Sequence, residues 1–283
     1  MKKNTWTENE IDFLIKNYST KGVDFCVNNL NYKKNKIFAM AHKLNIKILS
    51  NIKRKYKGKS DDLCNINPDS FRNIKTKEVS YLLGLMWSDG YVKHYNRNYD
   101  IVLTMVEEDI NNIKKTLDKL GKWHYNLIKK QKDSWKNTIR VSTNNKRIYE
   151  ILFDFNFTKK SKMSPDKLLN EIPKELHNYF YLGIVDGDGC FYYKKQEKTS
   201  VRQFSISSTY EQDWYYLENL FNSLGVKYSV NRYSRKDKNS SYSQIRVVNK
   251  DGILKIGNYL YSNITNDKIG LKRKYEKYLQ LIN

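Results

Sequence analysis

The stretch "LLGLMWSDGYV" (residues 82–92) is an apolar run that ends in Asp89-Gly90. Leu82, Leu83, Leu85, Met86 and Trp87 leave no polar face, so a helix here is expected to be buried on all sides. The C-terminus of a helix carries partial negative charge, and a carboxylate there is unfavourable by roughly 0.3–1 kcal/mol. Ser-Asp-Gly can also be read as an ordinary turn, with Gly90 as the left-handed stop. The stretch by itself leaves both readings open.

A second copy decides between them. In "IPKELHNYFYLGIVDGDGCFYY" (residues 172–193) a similar apolar run again ends in Asp-Gly, at Asp188-Gly189, 99 residues after Asp89. The segments downstream of the two runs match as well. "YDIVLTMVEEDINNIKKTLDKLG" (99–121) corresponds to "RQFSISSTYEQDWYYLENLFNSLG" (202–225), and "NTIRVSTNNKRIYEILF" (137–153) to "SQIRVVNKDGILKIGNYL" (243–260). Ile139 and Val141 alternate with Thr138, Arg140 and Ser142, and Ile245 and Val247 with Gln244 and Arg246, which is strand periodicity. Glu107, Glu108 and Asp109 open a helix, while Gly121 and Gly225 sit just past two helix ends. Each copy therefore reads helix, strand, strand, helix, strand, strand, helix. A period near this length is a duplicated domain, not a solenoid.

Gly84 and Ser88 are four apart, as are Gly183 and Gly187, so each apolar helix carries a stripe of small residues. Such stripes let two helix backbones approach closely. Packing through them would make the C-terminal ends converge and bring Asp89 and Asp188 together. Two carboxylates at two negative helix ends are an electrostatic fault unless a divalent cation sits between them.

The nonamers "LLGLMWSDG" and "YLGIVDGDG" resemble the two motifs of a single-chain LAGLIDADG homing endonuclease, over residues 79–283. The resemblance implies an α+β fold of two pseudo-symmetric αββαββα units. Their antiparallel sheets would form a saddle over DNA, here preceded by a small three-helix domain. It assigns catalysis and metal binding to the eighth motif position, Asp89 and Asp188. Two departures stand out: Trp87 replaces the first acidic residue that Asp186 keeps in the second copy, and Tyr181-Leu182 replaces the usual Leu-Ala. Neither touches the eighth position.

Phosphodiester cleavage must stabilise a pentacoordinate dianion and make a nucleophile from water, and divalent metals on paired carboxylates can do both. Mg2+ is the expected cofactor. The resemblance also implies a helper lysine leading into each copy's last helix, matched by Lys160 and Lys272, although both sit in runs where ordinary surface lysine reads the same. The sheets would supply the DNA face through outward Lys93, Arg140, Gln203, Asn231, Gln244 and Arg246. Arg and Gln can read guanine and adenine edges bidentately; a merely solvated sheet face would look similar.

Residues 1–46 stand outside the repeat. A Thr7-x-x-Glu10 capping box accompanies Trp6, Ile11, Leu14 and Tyr18 at helical spacing. Val23, Cys26, Val27 and Leu30 form a second stripe, and Ile37, Met40, Ala41 and Leu44 a third, opened by Asn35. The last is basic (Lys36, His42, Lys43), as in a helix-turn-helix, and the module resembles Myb/SANT-like three-helix domains. A protein-interaction module remains the alternative. Residues 47–76 read as a basic linker in which Lys53, Arg54 and Lys55 could track phosphates. The first unit then covers 77–164, a connector 165–176, and the second unit 177–283.

The net charge of +22, from 52 basic and 30 acidic residues in 283, points to a polyanionic partner. Cys26, Cys64 and Cys190 are odd in number and form no CxxC pair, which argues against a disulfide framework or zinc site. No leader or membrane span is visible. The expectation is an intracellular protein of a reducing compartment, in a bacterial or virus-infected cell or an organelle. The expected activity is a metal-dependent double-strand break at a long site by a monomer, intron-encoded or free-standing. The alternative is an RNA-binding intron maturase or a non-cleaving DNA-binding regulator. Both carboxylates are present, which favours cleavage.

Overall fold

The computed structural model describes residues 6–47, 66–96, 98–130, 132, 134–195, 200–234, 241–262 and 269–283. The chain divides into two compact units, Met1–Leu63 and Cys64–Asn283.

In the first unit, helix α1 (Glu8–Leu30) starts at the expected capping box: Thr7 N donates to Glu10 Oε2 (2.9 Å) and Glu10 N to Thr7 Oγ1 (3.4 Å). Gly22 breaks it with φ 81°, a conformation that favours glycine, so α1 is two helical segments joined at a kink. Helix α2 (Lys34–Lys43) comes next, with Lys33 rather than Asn35 at its N-cap. Leu14, Tyr18, Val23, Cys26, Ile37 and Ala41 make the small core between them.

The second unit holds the repeat. Helix α3 (Asp69–Arg72) precedes α4 (Lys77–Ser88), β1 (Gly90–Tyr95), β2 (Asn98–Val106), α5 (Glu107–Leu120), β3 (His124–Ile128), β4 (Thr138–Thr143) and α6 (Lys146–Asp154). After α7 (Asp166–Leu169) the order recurs: α8 (His177–Asp188), β5 (Gly189–Lys195), β6 (Ser200–Thr209), α9 (Tyr215–Ser223), β7 (Ser229–Tyr233), β8 (Tyr242–Val247) and α10 (Lys250–Tyr261), then α11 (Lys272–Ile282). The two four-stranded sheets are antiparallel and share one order, β1-β2-β4-β3 and β5-β6-β8-β7. This is the α+β architecture the motifs imply.

Local chemistry sets the boundaries. Thr76 caps α4, accepting from Val79 N (3.4 Å), and Asn145 and Asn249 cap α6 and α10 in the same way. Gly121 ends α5 with φ 134°. Leu103, Met105 and Val141 face inward on the first sheet, and Phe204, Ile206, Ile245 and Val247 on the second. All join one core with Ile110, Ile113, Ile148, Leu217 and Ile253 from the helices. The opposite face of each sheet carries exposed or half-buried side chains apart from the buried Val102 and Ser205.

The linker expectation needs a correction. Ile66, Phe71 and Ile74 are buried in the core of the second unit, and Arg72 pairs with Asp154 at 3.1 Å, so residues 66–76 belong to the fold. Their three apolar side chains outweigh the polar context that gives the segment the look of a tether. Lys53, Arg54 and Lys55 lie outside the described residues.

Candidate active site

Helices α4 and α8 touch through their glycines. A Cβ on Gly84 would stand 1.9 Å from Phe180 O, and one on Gly183 would stand 2.2 Å from Tyr81 O. Only hydrogen fits between these backbones. Further along, a Cβ on Gly187 would meet Ser88 Oγ at 2.0 Å and Asp89 Oδ2 at 3.2 Å. The two C-terminal ends therefore converge, and Asp89 and Asp188 end the helices side by side.

Both carboxyl groups keep an exposed face but rest against enough protein that burial is the main influence on their titration. The Asp89 carboxyl is raised above the ordinary value by burial, an effect opposed chiefly by Lys160. Asp188 is pushed up to about 6, by burial first and by the Asp89 charge second. Each group is held uncomfortably in its charged form, and a cation would relieve both.

The two helper lysines expected from the sequence part company. Lys160, in the turn after α6, reaches the end of α4, where its Nζ donates to Met86 O (3.2 Å) and to Ser88 O. It thereby satisfies helix-end carbonyls. Burial lowers it to about 8, against the opposing pull of Asp188 and Asp89. Lys272 instead points into solvent with its side chain 78% exposed, 3.4 Å from Glu276 on its own helix. The residue that mirrors Lys160 is Lys274, which is buried, donates to Gly189 O beside Asp188, and is lowered by burial and by Arg273. One α-helical turn has 3.6 residues, so a shift of two moves a side chain to the opposite face.

Asp186 is fully buried, accepting from Tyr81 Oη (2.9 Å) and Leu271 N (2.8 Å) through Oδ2, and is raised by burial to about 7. Its Oδ1 has no hydrogen-bond partner among the described residues. Trp87, in the equivalent place, packs edge-on against Phe157 at 5.1 Å. The halves are therefore alike at the eighth position and unlike at the sixth. Tyr81 and the Leu271 amide give no sequence signal, because their role arises only when the two helices cross. Arg273 on α11 meets Asp109 on α5 with two bonds of 2.6 Å and ties the two copies together. A cavity of about 280 Å³ opens beside Asp188, lined by Ser88, Lys160, Ser207, Thr209 and Trp214 among others.

Among the described residues no group of three or more His, Cys, Asp or Glu forms a metal cluster. The donor set is two carboxylates with a cavity for other ligands beside them. That suits Mg2+, which is commonly held by one or two carboxylates and keeps water and phosphate oxygens for its other positions. It does not suit a structural zinc, which takes a closed set of four Cys or His ligands.

Lys93, Arg140, Gln203, Asn231, Gln244 and Arg246 all lie on the open faces of the sheets, on β1, β4, β6, β7 and β8. Gln244 Nε2 donates to Ser207 Oγ (3.0 Å) and Gln203 Nε2 to Ser205 Oγ (3.1 Å). Lys36, His42 and Lys43 are on α2 in the other unit, where His42 and Lys43 are exposed and Lys36 lies 5.3 Å over the Tyr32 ring.

No protein-family model matches the sequence, and no curated protein matches it. Solved structures similar to the chain are homing endonucleases. The homing endonuclease I-WcaI bound to its DNA recognition sequence is 19% identical, covering 74% of this chain and 91% of that one, with a TM-score of 0.48. The LAGLIDADG homing endonuclease I-SmaMI bound to cleaved DNA is 16% identical, covering 73% and 88%, at 0.45. I-DmoI in complex with DNA and Mn is 18% identical, covering 65% and 96%, at 0.42. Among the described residues no helix is long and apolar enough to cross a membrane.

Proposed function

We propose that the chain is a site-specific DNA endonuclease that makes a divalent-metal-dependent double-strand break. The observation that carries this reading is the convergence of Asp89 and Asp188 at the ends of two helices in glycine contact, each end supplied with its own lysine, Lys160 half-buried and Lys274 buried. Two equivalent acids and two equivalent lysines match a substrate with two equivalent scissile strands.

Asp89 and Asp188 would hold Mg2+, which supplies charge stabilisation and a more acidic bound water. Lys160 and Lys274, fixed by main-chain carbonyls, aim positive charge at the space where phosphoryl oxygens would sit. The open sheet faces, with the net charge behind them, position the duplex so that its two backbones cross the acids. One chain contains both halves, so the protein is proposed to act as a monomer. Lys36, His42 and Lys43 on α2, with Lys53, Arg54 and Lys55 beyond it, are proposed as a second DNA contact.

The test is substitution of each acid. Asp89→Asn and Asp188→Asn should each abolish double-strand cleavage while leaving duplex affinity within a few fold, because each removes metal charge and no phosphate contact. A single variant that cuts both strands at the wild-type rate would overturn the assignment.

A further inference from the structure

The two open sheet faces can be compared position by position, because the registers are equivalent. Gly90 pairs with Leu103 as Gly189 pairs with Ile206. One residue further along each register, Thr104 is level with Asp89 and Ser207 with Asp188. The row of side chains level with the acids is Thr104, Arg140 and Asn126 in the first sheet, and Ser207, Gln244 and Asn231 in the second. A hydroxyl flanks the middle strand on one side and an asparagine on the other in both rows. The middle strand differs: Arg140 in one row, Gln244 in the other.

The next row out reverses the difference. There the middle strand carries Ser142 in the first sheet and Arg246 in the second. Arg246 Nε is buried and has no hydrogen-bond partner among the described residues. A buried donor without an acceptor costs free energy in the isolated protein, and with Nε closed off a ligand would have to meet the terminal guanidinium nitrogens. Arg presents a fork that fits guanine O6 and N7, whereas the Gln amide fits adenine N6 and N7.

We infer which side chains set the target sequence nearest the acids: Arg140 takes guanine there in one half, Gln244 takes adenine at the equivalent place in the other, and Arg246 takes guanine one row further out. This rests on the endonuclease reading only in taking duplex DNA as the occupant of the sheets. Two residues along a strand span about 7 Å, which is about two base steps at 3.4 Å each. The two guanine contacts therefore sit at distances from the target centre that differ by about two base pairs.

The experiment uses the full chain and a library of randomised duplexes, selected for binding in EDTA and sequenced. The wild type should give a consensus with guanine in one half where the mirror position holds adenine. Arg140→Gln should change that guanine to adenine, Gln244→Arg the reverse in the other half, each by about tenfold or more in preference. Carrying both substitutions should make the innermost positions trade halves. Unchanged thermal unfolding of each variant would exclude misfolding as the cause. An unchanged consensus, or a uniform loss across sequences with a shallower salt dependence, would overturn the inference, since the side chains would then contact phosphate or nothing. Selection in EDTA needs no cleavage, so a protein that selects this consensus but never cuts would refute the endonuclease reading and leave this one standing.

Discussion

At the scale of single residues, the acids and lysines are set by what lies behind them. Asp188 is raised to about 6 and Asp89 is raised as well, so in the metal-free protein a proton competes with the cation. Near and below pH 6 a proton on Asp188 competes with the cation; well above it that carboxylate is free to ligate and binding need expel no proton from it. The affinity for Mg2+, measured by calorimetry, should therefore rise from pH 5 to about pH 7 and level off. A flat profile would mean that the acids are not the ligands. The lysines give a second expectation. Lys160→Met and Lys274→Met should each slow single-turnover cleavage, by about a hundredfold if the charge acts on the transition state, whereas Lys272→Ala should leave the rate unchanged. The eighth-position acids are legible in the sequence because the motif repeats. Lys274 is not, because "LKRK" places three bases in a row and only the docking of α11 against β5 chooses among them. Asp186 is legible as a motif acid, but Tyr81 beneath it looks like one more aromatic in an apolar run.

At the scale of elements, the contact between α4 and α8 sets the spacing of the acids. Gly84 and Gly183 face carbonyl and amide atoms of the opposing backbone, which cannot move aside without parting the helices. Gly84→Ala and Gly183→Ala should each cost about 3 kcal/mol or more, the upper end of ordinary overpacking, in denaturant unfolding. Gly187 faces the Ser88 side chain instead, whose Oγ can rotate away although its Cβ, 2.7 Å off, cannot, so Gly187→Ala should cost less than the two backbone clashes but still destabilise. If all three variants were equally mild, the helices would not be in backbone contact. The stripes at spacing four make this interface readable, as alternation does for the strands. Residues 66–76 mislead because a four-residue helix shows no periodicity: Phe71 needs the finished core to show where it goes.

At the scale of the whole molecule, the charge of +22 is spread over both units, and the function of the smaller one turns on its own chemistry. From Lys33 to Lys47 the chain has five lysines and one histidine and no acid. Ile37 and Ala41 bury one face of α2 while Phe38 and His42 stand on the other. A face that is basic and partly apolar suits a groove of duplex DNA, where phosphates meet the lysines and base edges meet the ring. A second reader carried on the same chain raises affinity through effective concentration and adds nothing at the scissile phosphates. Deleting residues 1–46 should therefore weaken binding and shorten the protected DNA at one end, while the cut stays at the same phosphates. Removing residues 47–65 as well, with Lys53, Arg54 and Lys55, should flatten the salt dependence of binding further, because each lost phosphate contact lowers the slope by about one. Footprints of the full and shortened chains on one target at matched salt decide the matter. Identical protection and affinity would mean that α2 meets another protein, and the charge of the small unit would then need a different acidic partner.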